Sequence, residues 1–348
     1  MFAIATAPAK KQTATETIST LSGRLTSATL LEDRRAAILG LRSFAKEYPA
    51  SVASGALRGL IGSLNNDGED VDTVKVVLET LLMLFNPNEN SPEASEEITL
   101  WLADEFTQRQ DNITILLDLL DTNDFYSRLY SLQLLLAILL LRPARTEECI
   151  FTAPLGISRL VSVLDDSRDV VRNEGVALLT SLTPESTELQ KLVAFENTFD
   201  RVFHIINQEG SLMHGDRIIE DCLVLLANLL RLNTSNQSFF RETGCVPKLA
   251  RLLKDALSSQ EDTEEIADWV REQRGRNIFA LLAVIRLFLV RGAVGVQLNQ
   301  ASFWQNGVLI QALQLAFNRL TEMRIKSEVC LPGLGYILNR LTKYARPL

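Results

Sequence analysis

The chain has 348 residues, of which 47% are hydrophobic and 22% charged, and carries a net charge of −8. Such a composition can bury a continuous core and excludes a disordered chain. A pI near 5.1, with no interleaving of aromatic and basic residues, disfavours nucleic acid as a partner.

Glycine (17) and proline (10) are sparse and strand-like alternation is hard to find, so helices are expected almost throughout. The start, MFAIATAPAKK, puts its charge after a very short apolar run, the wrong order for a signal peptide. In chain order, DRRAAILGLRSFAKEY (33–48) with ALRGLIGSL, then VKVVLETLLMLF (74–85) with NITILLDLL, read as paired apolar helices. Four longer segments follow, starting at Leu129, Glu174, Ile218 and Arg276. Each gives an apolar helix, a polar break, a short helix with phenylalanine and a second apolar helix. The marker residues Phe151, Phe195 and Phe240 lie 44 and 45 residues apart, the armadillo/HEAT period. Phe303 comes 63 residues later, the excess being the acidic insertion 258–268, SSQEDTEEIAD. A second acidic insertion, NPNENSPEASEE (86–97), is expected to be mobile in solution.

These patterns predict an all-α fold: a single right-handed α-solenoid of about six armadillo/HEAT-like units. The approximate units are 14–66, 70–121, 122–166, 167–208, 216–257 and 269–320, with a C-terminal helix at 321–346. No unit buries its apolar face alone, so stacking completes the core. In DSRDVVRNEGVALLTSL, Asp169 is expected to cap a helix, Val171, Gly175, Leu178 and Leu179 to be buried, and Arg172 to project outward. The apolar runs 132–141 and 279–290 fall short of the ~20 residues that span a bilayer and read as core helices.

Charge is uneven: residues 269–348 hold 11 Lys/Arg against 3 Asp/Glu, leaving −16 for residues 1–268. The basic segment either meets further protein or forms a solvated face, with anionic lipid as the alternative.

Catalytic chemistry is missing. The two histidines, His204 and His214, have no neighbours at zinc-ligand spacing, and no phosphate loop or nucleophile elbow occurs. DGED (67–70) lacks the alternating ligands of a calcium loop. Cys149, Cys222, Cys245 and Cys330 form no CxxC pair and are expected to be buried reduced thiols of a cytosolic protein. The expected function is therefore binding, without enzyme activity, metal or cofactor.

Armadillo units present one helix each to a groove, where an asparagine commonly holds a partner's backbone; Asn228 in LLANLLRL takes that type of position. Ser181, Ile138 and Phe288 replace it elsewhere, so no asparagine ladder runs the length of the groove and importin-like capture of a basic peptide is disfavoured, although the acidic N-terminal part keeps it as the alternative. The break NTSNQ (233–237) either ends one helix and caps the next, or bonds a partner at the groove rim. Asn228, Arg231, Asn233 and Asn236 are the candidate partner-binding residues.

The stretches TATETISTLSGRLTSATLLEDRRAAILGLRSFAKEYP (13–49), VAFENTFDRVFHII (193–206) and IIEDCLVLLANLLRLNTSNQSFFRETG (218–244) closely resemble the globular head of the general vesicular transport factor family, in its fungal form. The resemblance covers essentially the whole chain. It implies a cytosolic homodimer, with an armadillo-like head, a coiled-coil rod and an acidic tail. Such a protein tethers COPII-derived vesicles at the Golgi as a peripheral membrane protein. The implied partners are a Rab-family GTPase, SNARE proteins and Golgi matrix proteins, and no catalytic residues are implied. This sequence ends at Leu348 without a heptad seam and reads as the N-terminal part of that head.

Overall fold

The computed structural model describes residues 13–258, 267–289, 295–308, 310–311, 336 and 339. Every regular element among them is helical. The chain separates into two compact units, Met1–Gly156 and Ile157–Leu348.

In the first unit, α1 (Ala14–Ser27) opens on a capping box in which Thr13 and Glu16 exchange bonds. It packs on α2 (Leu31–Phe44) and α3 (Pro49–Asn66). Then come α4 (Val71–Phe85), α5 (Glu96–Thr107), α6 (Gln110–Asp118), α7 (Phe125–Leu141) and α8 (Pro143–Thr152). Asp70, Ser95 and Asp124 cap α4, α5 and α7, while proline at the first position starts α3 and α8. Helices α2, α4 and α7 lie side by side as one layer.

The insertion 86–97 is tied down rather than loose. Asn88 donates from its backbone to the Lys46 carbonyl at 3.0 Å, and Ser91 Oγ donates to the Glu47 carbonyl at 2.7 Å. Glu93 accepts from the backbone N–H and hydroxyl of Ser51 in the first turn of α3, at 2.8 and 2.7 Å, where the helix dipole favours a carboxylate. A polar composition suggested mobility; these four bonds supply the ordering that composition alone does not register.

Two carboxyls in this unit sit below their usual range. Asp70 is held down first by the Thr73 hydroxyl and then by Arg35, and Asp104 by the Arg142 guanidinium it bonds at 2.6 and 2.8 Å. A carboxyl depressed in the folded state stabilises above its unfolded value, and that stabilisation is lost as pH falls through the folded value. Denaturation midpoints should therefore drop as the pH falls below about 4. Asp104→Asn should start lower at neutral pH and lose less over the same window; an unchanged acid limb in the variant would refute the assignment.

The second unit begins at the boundary with α9 (Gly156–Ser162) and continues with α10 (Asp169–Leu182), α11 (Thr187–Val193), α12 (Phe199–Gln208) and a short α13 (Ser211–His214). It is completed by α14 (Arg217–Leu230), α15 (Thr234–Glu242), α16 (Cys245–Ser258), α17 (Asp268–Leu287) and α18 (Val296–Gln305). Here α10, α14 and α17 form the side-by-side layer. Residues 259–266 of the second acidic insertion lie outside the described residues.

The core of this unit is an aromatic spine. Phe240 meets Phe199 edge-on at 4.9 Å and Phe288 at 5.3 Å, and Phe288 meets Phe303 at 5.7 Å. Phe240, Phe288 and Phe303 are fully buried, but Phe151 and Phe195 are 51% and 56% exposed. The four marker phenylalanines thus do not share one helical position. Phe240 stands seven residues after its N-cap Asn233, and the residue seven after the N-cap Ser186 is the buried Val193, not Phe195.

Around α10, Val171, Gly175, Leu178 and Leu179 are buried as expected, but Arg172 is not an outward residue. It is 8% exposed and pairs with Glu209 beyond the end of α12, its aliphatic stem packed inside. Asp169 is the first helical residue, and the N-cap position belongs to Arg168, whose side chain makes no capping bond.

Candidate partner-docking surface

Helix α14 is hemmed in by α10, α12, α15 and α17, which explains why eight of its residues, including Ile219, Cys222, Leu226 and Leu230, are buried. The stripe left to solvent is Glu220, Val224, Asn228 and Arg231, at the spacing of one helix face. Val224 is 38% exposed, and Phe279 on the neighbouring α17 is 41% exposed. Glu220 pairs with Arg276 of α17 at 3.3 Å. Burial pushes the Asp221 carboxyl above its ordinary value, opposed by Arg217.

Asn228 donates from Nδ2 to the Thr180 carbonyl of α10 at 2.9 Å. One of the two Nδ2 hydrogens is therefore used on the neighbouring helix, which fixes the orientation of the amide. Arg231 is exposed.

Asn233 and Asn236 lie elsewhere: they are 4% and 0% exposed. Asn233 caps α15, accepting from the Asn236 N–H at 3.1 Å and donating to Gln190 Oε1 at 3.1 Å. Asn236 donates to the Leu229 carbonyl at 2.8 Å and to the Gln190 carbonyl at 3.0 Å. Gln190 in turn donates to the Thr183 carbonyl at 2.9 Å, and Gln237 to the Leu230 carbonyl at 3.0 Å. Gln190, Asn236 and Gln237 thus each reach back seven residues to satisfy a carbonyl at the end of the preceding helix. The same device recurs where Arg241 donates to Asn299 and Asn299 donates to the Phe288 carbonyl, at 2.8 and 2.9 Å. Of the two readings of NTSNQ, these bonds carry the capping one. The structure brings Asn233 and Asn236 together inside, and sets Asn228 and Arg231 on the exposed stripe.

A second exposed face was not singled out from sequence. On the α2–α4–α7 layer, Arg35 pairs with Asp70, and Arg42 with Glu79 at 2.6 Å. Lys75 Nζ sits 3.5 Å over the Tyr126 ring, which packs against Tyr130 at 5.5 Å. Burial raises the Tyr130 hydroxyl pKa, helped by Glu79. Tyrosine and arginine are the residues most enriched at interface hot spots. The available signal was the spacing of Arg35, Leu39 and Arg42 beside Lys75 and Glu79 and beside Tyr126 and Tyr130, each set on one helix face.

Cys149, Cys222 and Cys245 are buried free thiols, and burial raises the pKa of each. Cys330 lies outside the described residues. Among the described residues no group of His, Cys, Asp and Glu is placed to hold a metal ion, and no helix is long and apolar enough to cross a membrane. His204 and His214 are both exposed.

No family model matches the chain. It is 38% identical over 336 residues to the intracellular protein transport protein USO1 of Saccharomyces cerevisiae, covering 88% of this chain and 18% of that protein. It is 44% identical over 246 residues to uso1 of Schizosaccharomyces pombe, covering 71% and 23%. It is 36% identical over 285 residues to the human general vesicular transport factor p115, covering 80% and 29%. The chain thus spans less than a third of the length of these relatives. Two Uso1 crystal structures match with TM-scores of 0.85 and 0.83 at 33% and 36% identity, over 98% and 92% of this chain and 52% of each of theirs. A designed armadillo repeat protein matches with a TM-score of 0.54 at 16% identity, over 76% of this chain and 99% of that one, a likeness of fold alone. The fold is an all-α solenoid, and the chain is homologous to the Uso1/p115 vesicular transport factors, its structure matching the Uso1 head.

Proposed function

We propose that this chain is the non-catalytic head of a vesicle-tethering factor of endoplasmic-reticulum-to-Golgi transport. Its work is to bind membrane-traffic proteins and so dock COPII vesicles at the Golgi. The partners are a Rab-family GTPase in its GTP form, SNARE proteins and Golgi matrix proteins, and the full-length protein acts as a cytosolic homodimer, peripheral on membranes. The observation that carries this reading is the match to Uso1 in both sequence and fold, over 98% of the chain in the first crystal structure. The α14 stripe supports a docking role, with Val224 exposed on α14, Phe279 exposed on the neighbouring α17 and Arg231 exposed at the end of the stripe. An exposed apolar centre with a polar rim is the anatomy of a protein interface.

Calorimetric titration with the endoplasmic-reticulum-to-Golgi Rab GTPase tests it. Binding is expected for the form loaded with a non-hydrolysable GTP analogue and not for the GDP form, and Arg231→Ala combined with Val224→Ser should weaken it. Binding of neither form would remove the GTPase from this chain, and equal binding of both would overturn the dependence on GTP.

A further inference from the structure

Helix α11 runs into an irregular turn, Ala194–Thr198, in which Glu196 (φ −79°, ψ 25°) and Asn197 (φ 62°, ψ 26°) leave helical geometry. Such bulges and left-handed residues cost free energy and concentrate where a side chain must be aimed. Here the turn is held by the Thr198 hydroxyl, which donates to the Val193 carbonyl, and by Ser158 Oγ, which donates to Glu196 at 3.0 Å. The side chain it presents is Phe195, 56% exposed yet seated on Phe239 at 4.9 Å. Phe239 in turn rests on Phe199 at 6.0 Å. Leu192, one turn earlier, is 41% exposed. The result is a fixed apolar anchor in water, with little rotamer freedom left to lose on binding.

The rim of this anchor is acidic. Glu188 lies one turn before Leu192, Glu185 precedes the helix, Glu196 follows Phe195, and Glu242 lies one turn after Phe239. Against these four carboxylates stand Lys191, itself paired with Glu188 at 2.9 Å, and Arg241, which donates to Asn299 and Ser238. The same rim of a second copy would bring like charge to like, and an anionic membrane would be repelled. Neither fits this rim, whereas a cationic partner does.

We infer that Leu192, Phe195 and Phe239 form a docking site for a basic amphipathic helix. Its aliphatic stripe covers the three side chains, and its flanking lysines or arginines face Glu185, Glu188, Glu196 and Glu242. The site lies off the α14 stripe and stands whether or not a GTPase docks there.

The test is fluorescence anisotropy of the whole chain with three labelled peptides: an idealised Leu/Lys amphipathic helix, its Leu/Glu counterpart, and a Leu/Lys peptide of the same composition shuffled to lose its stripe. The Leu/Lys helix should bind best. Phe195→Ala should weaken it by about tenfold or more, as truncation of an interface anchor does, while Phe195→Leu keeps most of the affinity. Glu188→Lys with Glu242→Lys should weaken the Leu/Lys helix and strengthen the Leu/Glu one. Thermal melts separate folding from binding. If the shuffled peptide binds as well, if Phe195→Ala changes affinity less than twofold, or if phosphatidylserine vesicles sediment the chain through Phe195, the site is not a helix-docking site.

Discussion

Phe240→Ala is expected to destabilise the second unit by about 3–5 kcal/mol, the cost of emptying a buried phenylalanine site. Phe240 is fully buried, and its ring touches Phe199 and Phe203 of α12 and Phe288 at the end of α17. Deleting the ring opens one cavity that α12, α15 and α17 all border. Collapse would require moving helices that are also fixed by other contacts, so little of the cost is recovered. Phe240→Leu, which keeps most of the volume, should cost less than about 1.5–2 kcal/mol. Phe195→Ala, at a position more than half exposed, should fall well below both. Denaturant midpoints of the three variants rank the sites; a Phe195→Ala loss equal to that of Phe240→Ala would mean that the two phenylalanines are equivalent core positions after all.

What was readable from sequence followed from period and local chemistry. The apolar rows of α14 and α17, the capping asparagine at 233 and the buried state of Cys149, Cys222 and Cys245 all follow from spacing and residue type within one segment. What was missed depends on partners distant in sequence. Arg172 looks like an outward cation until Glu209, 37 residues on, is placed beside it. The insertion 86–97 looks mobile until Lys46, Glu47 and Ser51 are found bonded to it. The break SLMHGD hides the turn α13, which is clamped when Asn277 donates to the Leu212 and Gly215 carbonyls at 3.2 and 3.0 Å. Gly215 is needed there because a Cβ would meet Ile219 Cγ1 at 2.3 Å and two backbone oxygens within 2.7 Å. The candidate site divides on the same line. Arg231 is legible as exposed because it follows the last turn of an amphipathic helix, whereas the amide of Asn236 is read correctly only once Gln190, 46 residues earlier, is beside it.

Asn236→Leu should separate the two roles most sharply. Its side chain donates to two carbonyls inside the unit, and the leucine leaves both the Leu229 and Gln190 oxygens buried without that donor. The Gln190 oxygen keeps the Ala194 N–H, and the two lost bonds with the poorer pairing of the Leu229 oxygen put the cost at roughly 2–4 kcal/mol. Arg231→Ala, on an exposed residue, should stay within about 0.5 kcal/mol. Asn233 shares Gln190 with Asn236, so the pair Asn233→Ala with Asn236→Ala should cost less than the sum of the single changes. Asn236→Asp adds a check on the charge. A buried carboxylate facing two carbonyl oxygens would have its folded pKa raised, and the protonated form would regain one donor. The variant's deficit against wild type should therefore shrink as pH falls and grow as pH rises through the folded value. If that deficit is independent of pH, or if Asn236→Leu melts like wild type while partner binding is lost, Asn236 belongs to the docking surface rather than to the ladder that joins the repeats.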